Sequence, residues 1–121
     1  MRSPKRNINV TLEKRLHKTF VQLISDLKNP KQIDLFFKDF LTPGEYKTLT
    51  KRIAVAYWLK KGRNSFNIKN NLRVSTATIT SVRPLLKKEG IKLALKKIEA
   101  DEWAEEWSKK IKEFTIRMKV P

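Results

Sequence analysis

The sequence predicts an all-α fold of several amphipathic helices around one small core. Three observations carry that expectation. Apolar residues recur at spacings of three and four along most of the chain, the period of one helix face. Helix-start residues stand where those stretches begin. Only three of the 121 residues are glycine, while Lys, Leu and Ile, which suit helix better, are abundant. At this length one domain is expected, a basic arm over 1–10 followed by a single helical domain over 11–121. A globule of that size hides roughly two-thirds of its unfolded surface, too little for a large cleft between two lobes.

From Thr11 the first helix carries Leu12, Leu16, Phe20, Leu23, Ile24 and Leu27 on one stripe. Asn29-Pro30 stops it and starts the next, with Asn as cap and Pro at the first helical position. Ile33, Phe36, Phe37 and Phe40 then give a short helix a heavily aromatic face. Thr42-Pro43-Gly44-Glu45 spells a capping box, in which Thr42 accepts from the Glu45 amide and Glu45 reaches back. Leu49, Ile53 and Ala56, with Leu59 or Tyr57, form the expected buried stripe of the third helix. Lys60, Lys61 and Gly62 end it, cations complementing the dipole and Gly taking the left-handed turn.

The segment over about 64–87 reads as a helix-turn-helix. Ile68 and Leu72 lie four apart on a short helix, and Arg73-Val74-Ser75 makes a tight corner plugged by Val74. Ser75 caps a second helix whose buried face is Ile79 and Val82, then Leu86 if the helix survives Pro84. On that helix Ala77, Thr80 and Ser81 turn away from the buried face. Lys88-Glu89-Gly90 closes the motif. Over about 91–118 follow Leu93, Leu95, Ile98, Trp103, Trp107, Ile111, Phe114 and Met118, on one helix or two.

Charge narrows the function. The chain holds 28 Lys+Arg against 12 Asp+Glu, a net +16. Between Glu45 and Glu89 there is no acid at all, while Lys47, Lys51, Arg52, Lys60, Lys61, Arg63, Lys69, Arg73, Arg83, Lys87 and Lys88 stand there. Cations so crowded repel one another unless a polyanion neutralises them, and nucleic acid backbone is the commonest one. Absence of Cys excludes a disulfide framework, thiolate zinc and cysteine catalysis. His17 is the lone histidine, on the first helix, and the acids Glu99, Asp101, Glu102, Glu105 and Glu106 cluster late. No enzyme is therefore expected, because convergent acid, base and pocket are missing. No run approaches a membrane span, so a cytoplasmic protein without membrane partners is expected. The acidic cluster is expected to pair with basic residues of a partner chain.

The run Leu41-Thr42-Pro43-Gly44-Glu45, Leu49, Arg52, Leu59, Gly62, Ser65, Lys69, Leu72 and Ala77-Thr78-Ile79-Thr80 resembles the Trp repressor family across roughly residues 35–87. The resemblance implies an intertwined, all-helical homodimer and a transcriptional repressor reading double-stranded DNA of two-fold symmetry. It implies base contacts from Thr76, Ala77 and Thr80 and a phosphate contact from Lys69. Arg83, on the flank of the same wheel, is a further candidate for bases, and Arg73 and Lys87 for backbone. Short side chains give no bidentate grip, so phosphate contacts, bridging water and DNA shape are expected to matter. Thr42, Arg52 and Thr78 occupy the family's effector-pocket positions. Ser81 stands where the family has an indole-stacking Arg, and Val82 where it has Gly, so no cofactor is expected and L-tryptophan is not the expected ligand. The alternative is a constitutive basic RNA- or ribosome-associated protein with weak sequence preference.

Overall fold

The computed structural model describes residues 8–119, with side chains throughout that range except at 103, 107, 108 and 114–119. Trp103, Trp107, Phe114 and Met118 therefore lie outside the described side chains, as does most of the expected arm over 1–10. Six α-helices run in order: α1 (Val10–Asp26), α2 (Pro30–Phe40), α3 (Pro43–Lys60), α4 (Ser65–Leu72), α5 (Thr76–Val82) and α6 (Glu89–Lys119). A 3-10 turn, Arg83–Lys87, joins α5 to α6, and no strand occurs among the described residues. The chain divides into two compact units, Met1–Tyr46 and Lys47–Pro121, so the boundary within 11–121 falls inside α3.

The first unit is built from α1, α2 and the start of α3. Asn9 caps α1 by accepting from the Thr11 amide at 2.8 Å, and Asn29 caps α2 by accepting from the Gln32 amide at 2.9 Å. The Gln32 side-chain oxygen Oε1 in turn accepts from the Lys28 amide at 3.0 Å, so the Asn29 and Gln32 side chains each satisfy an amide at this joint. The capping box expected at α3 forms in full: the Glu45 amide donates to Thr42 Oγ1 at 3.1 Å and the Thr42 amide to Glu45 Oε1 at 2.9 Å. Those bonds from Thr42 hold the Glu45 carboxyl below its ordinary range. Phe36 stacks on Phe40 with ring centroids 5.2 Å apart, and Phe37 tilts against Tyr46 at 5.9 Å. The Tyr46 hydroxyl donates to Asp34, which also pairs with Lys38. Neither α1 nor α2 buries a residue. Leu12, Leu16 and Phe20 keep 47%, 51% and 44% of their surface in water.

The second unit holds the core. Val55, Ala56, Tyr57 and Leu59 of α3 close against Ile68 of α4, Ile79 and Val82 of α5, and Leu95 of α6. Ile53, Leu72, Val74, Leu86 and Ile98 pack around them, half-buried. Each fully buried aliphatic side chain contributes about 1.5–3 kcal/mol of transfer free energy. Leu49 departs from the expected stripe: it is 48% exposed, because the interior of this unit starts one turn later, at Ile53. Both Tyr57 and Leu59 are buried, so α3 turns a broad face inward near its end. The Lys88-Glu89-Gly90 break is shorter than expected. Lys88 alone is extended, Glu89 and Gly90 already belong to α6, and the C-terminal segment is one helix of 31 residues.

Two members of the acidic cluster find partners within the chain rather than awaiting another. Glu99 accepts from Lys60 at 3.3 Å and Lys61 at 3.4 Å, and the Tyr57 hydroxyl donates to Glu102. The bonds from Lys60 and Lys61 lower the Glu99 carboxyl, and the bond to Glu99 raises the Lys61 ammonium. A lowered carboxyl contributes stability above its unfolded value near 4.5, lost as pH falls through the folded one. A raised ammonium contributes below its unfolded value near 10.5, lost as pH rises through the folded one. The α3–α6 link is therefore complete between those limits. Thermal melts of Glu99→Gln should lack the acid-side part of the loss seen in the parent, and added salt should shrink the difference.

Candidate nucleic-acid interface

The helix-turn-helix rests on two side-chain caps, at Asn64 and Ser75, and one strained residue. Gly62 ends α3 with φ +83°, a conformation that favours glycine. Asn64 then caps α4, accepting from the Asn67 amide at 2.8 Å. At the far end Arg73 adopts φ 55°, ψ 52°, and its amide donates to the Lys69 carbonyl. Such a left-handed residue ends helices well but costs a side chain about 1 kcal/mol or more. Lys51, a full helix away on α3, donates from Nζ to the Arg73 carbonyl at 3.1 Å and so holds the corner. Ser75 caps α5 by accepting from the Thr78 amide at 3.1 Å, and its Oγ also shares a bond with Thr78 Oγ1 at 3.0 Å. With the corner so fixed, Ile68 and Ile79 go inside and the opposite face of α5 goes out.

On that outer face Thr76, Ala77, Thr80 and Ser81 are exposed. Ala77 and Thr80 lie three apart, Thr76 and Thr80 four apart, so the three share one side of the helix. Ser81 Oγ turns back to donate to the Thr78 carbonyl at 2.9 Å. Lys69, Arg73 and Lys87 are exposed on α4, the corner and the 3-10 turn. Arg83 opens the 3-10 turn, and its guanidinium donates to Ser65 Oγ at the start of α4 at 3.1 Å. Pro84 follows in the first turn of that 3-10 segment, so α5 stops at Val82 and Leu86 packs from the turn instead.

Of the effector-pocket candidates, Thr42 and Thr78 both take part in helix caps. Thr42 belongs to the first unit, where it caps α3. Thr78 has its hydroxyl engaged by Ser75. Arg52 alone lines a hollow of about 230 Å³, with Leu49, Ile53, Ala56, Val82, Leu85 and Ile91. Val82 fills part of that wall with a branched side chain that is almost wholly buried.

Sequence reasoning missed Lys51, Ser65 and Arg63. The Arg63 guanidinium lies over the Trp58 ring, 4.1 Å from its centroid, and Nη1 donates to Asn67. No spacing rule pairs residues five or twenty-two apart, so only the folded corner brings these groups together. A family model described as Trp repressor protein matches residues 15–99, more than half of the chain. The chain belongs to the Trp repressor family. That family consists of DNA-binding helix-turn-helix regulators rather than enzymes, and the exposed, acid-free corner is where this chain carries its motif. No curated protein and no solved structure matches the chain. No helix among the described residues is long and apolar enough to cross a membrane, and no cluster of metal-ligating side chains occurs among them.

The corner gives a paired expectation. Ser75→Ala should lower stability by about 1 kcal/mol through loss of the cap, whereas Arg73→Gly should raise it by a similar amount by relieving the left-handed strain. Urea unfolding of both variants measures the two signs. Equal destabilisation by both would contradict the strained corner.

Proposed function

We propose that this chain is a sequence-specific regulator of transcription, a repressor, that acts as a homodimer with α5 of each copy in the major groove of double-stranded DNA. The observation that carries the reading is the outer face of α5: Thr76, Ala77 and Thr80 exposed together on a motif with no acid from Tyr46 to Lys88. Thr hydroxyls and methyls and an Ala methyl suit base edges and the thymine methyl. Lys69, Arg73 and Lys87 supply salt-sensitive affinity through phosphates. Arg83, tied to Ser65, serves the backbone beside α4 rather than a base. The protein works in the cytoplasm, on the nucleoid when bound.

The second copy answers an apolar surplus. Val10, Leu12, Leu16, Phe20, Val21 and Leu23 of α1, with Leu35 and Phe40 of α2, are each 40% or more exposed. Helices that bury nothing in their own chain gain most of their stability from a partner. A dimer would set its two α5 helices about 34 Å apart, one turn of duplex. Tryptophan is not its effector: Val82 crowds the hollow beside Arg52, and Ser81 offers no guanidinium to cover an indole.

Selection of bound fragments from random duplex tests the whole reading, with a palindrome as the expected product. Recovery of any polyanion, RNA included, without a palindrome would overturn it. Thr80→Ala should relax choice at one base pair by about 1–3 kcal/mol, and Ala77→Asp should abolish operator binding. Lys69→Ala should weaken all duplexes alike and reduce the salt slope by about one. Sedimentation of Leu16→Glu/Phe20→Glu should give a monomer where the parent is a dimer. Calorimetry should detect no uptake of L-tryptophan.

A further inference from the structure

A second hollow lies on the other side of the 3-10 turn. It encloses about 270 Å³ and is lined by Lys60 at the end of α3, Leu86 of the turn, and Lys92, Leu95 and Lys96 of α6. Its lining shares no residue with the hollow beside Arg52. Leu95 is 1% exposed and Leu86 half-buried, so the floor is apolar. Three lysines line it, their stems forming an almost wholly apolar wall that leaves the ammonium groups to the rim, and no Asp or Glu belongs to the lining. Glu99 holds Lys60 from outside that lining, while among the described residues no ion pair engages Lys92 or Lys96. Those two lie four apart on one helix face, a spacing at which like charges repel.

We propose that this hollow binds a small amphipathic carboxylate, a single ring or branched aliphatic body seated on Leu86 and Leu95 with its carboxylate between Lys92 and Lys96. The size fits: an apolar cavity of about 150 Å³ takes benzene, and this one leaves further room for a short tail. The charge fits as well. A carboxylate between Lys92 and Lys96 turns a like-charge contact into two charge-assisted hydrogen bonds. Apolar floor and cationic rim together select against the two simpler ligands. A bare phosphate gains nothing from the leucines, and a neutral ring gains nothing from the lysines. Lys60 gives the site a link to the rest of the unit, because a bound anion competes with Glu99 for its ammonium. Leu86 gives it another, since the 3-10 turn continues directly from α5. The inference concerns ligand binding alone and stands or falls apart from DNA recognition.

Methyl-detected NMR of the full chain, titrated with salicylate, tests it without DNA. Saturable shifts are expected at the Leu86 and Leu95 methyls. Lys92→Gln/Lys96→Gln should weaken the affinity about tenfold or more, equal to about 1.4 kcal/mol per factor of ten. Benzyl alcohol and inorganic phosphate should each bind at least about tenfold more weakly than salicylate. Because exchange of surface lysines leaves the core intact, the melting curve of the double variant checks its fold. Leu86→Trp, which fills the hollow, offers a second variant and should abolish the shifts at the Leu95 methyls. Shifts at Leu49, Leu85 and Ile91 instead, no saturation in the millimolar range, or equal binding of phosphate would each overturn the proposal.

Discussion

The closure of Ile68, Ile79 and Val82 over Val55 and Leu95 is the contact on which the rest of the second unit depends. These five side chains come from α3, α4, α5 and α6, so one apolar cluster fixes the position of each helix. The short helices cannot stand otherwise. α4 has eight residues and α5 seven, both well below the length at which an isolated helix is stable in water. Their caps satisfy the terminal amides, but the cluster sets where they lie. The outward direction of Ala77 and Thr80 follows from the inward direction of Ile79, because the helix leaves no other arrangement.

Charge plays the opposite part. The cations of the second unit contribute little to folding and much to what the fold can meet. Lys60 and Lys61 are partly neutralised by Glu99, and the Arg63 guanidinium is spread over the Trp58 face. Lys69, Arg73 and Lys87 lie in solvent on α4, the corner and the 3-10 turn. An exposed helix-turn-helix with that surroundings suits a polyanion, and its family is one of DNA-binding regulators. The strained left-handed Arg73 belongs to the same pattern: a glycine would fit the backbone more easily there, but would place no guanidinium at the corner.

Much of the fold was legible because caps and periodicity act locally. The box at Thr42 and Glu45, the Asn29-Pro30 joint, Gly62 and Ser75 all behave as their residue types dictate. So does the division of α5 into a buried face at Ile79 and Val82 and an exposed one at Ala77 and Thr80. Periodicity misled at Leu49, since a helix can keep its stripe while only part of it meets an interior. It also placed a break at Gly90, where a glycine is tolerated inside the first turn of a long helix. The exposed position of Thr76 and Thr80 was readable; the tether from Arg83 to Ser65 was not, nor the reach of Lys51 to the Arg73 carbonyl. Both join residues eighteen or more apart in sequence, and a long flexible side chain finds such a partner only after the corner has closed.

The brevity of α5 has a consequence for genome addressing. Seven residues between Ser75 and Arg83 rise about 10 Å, the length of about three stacked base pairs. A word of three letters recurs about once in every 64 positions of random sequence, against the roughly million or more competing positions a genome offers. One such helix cannot name a unique address. A regulator that reads DNA with so short a helix gains its selectivity from more than one word at a fixed separation, and from the stiffness of the letters it never touches.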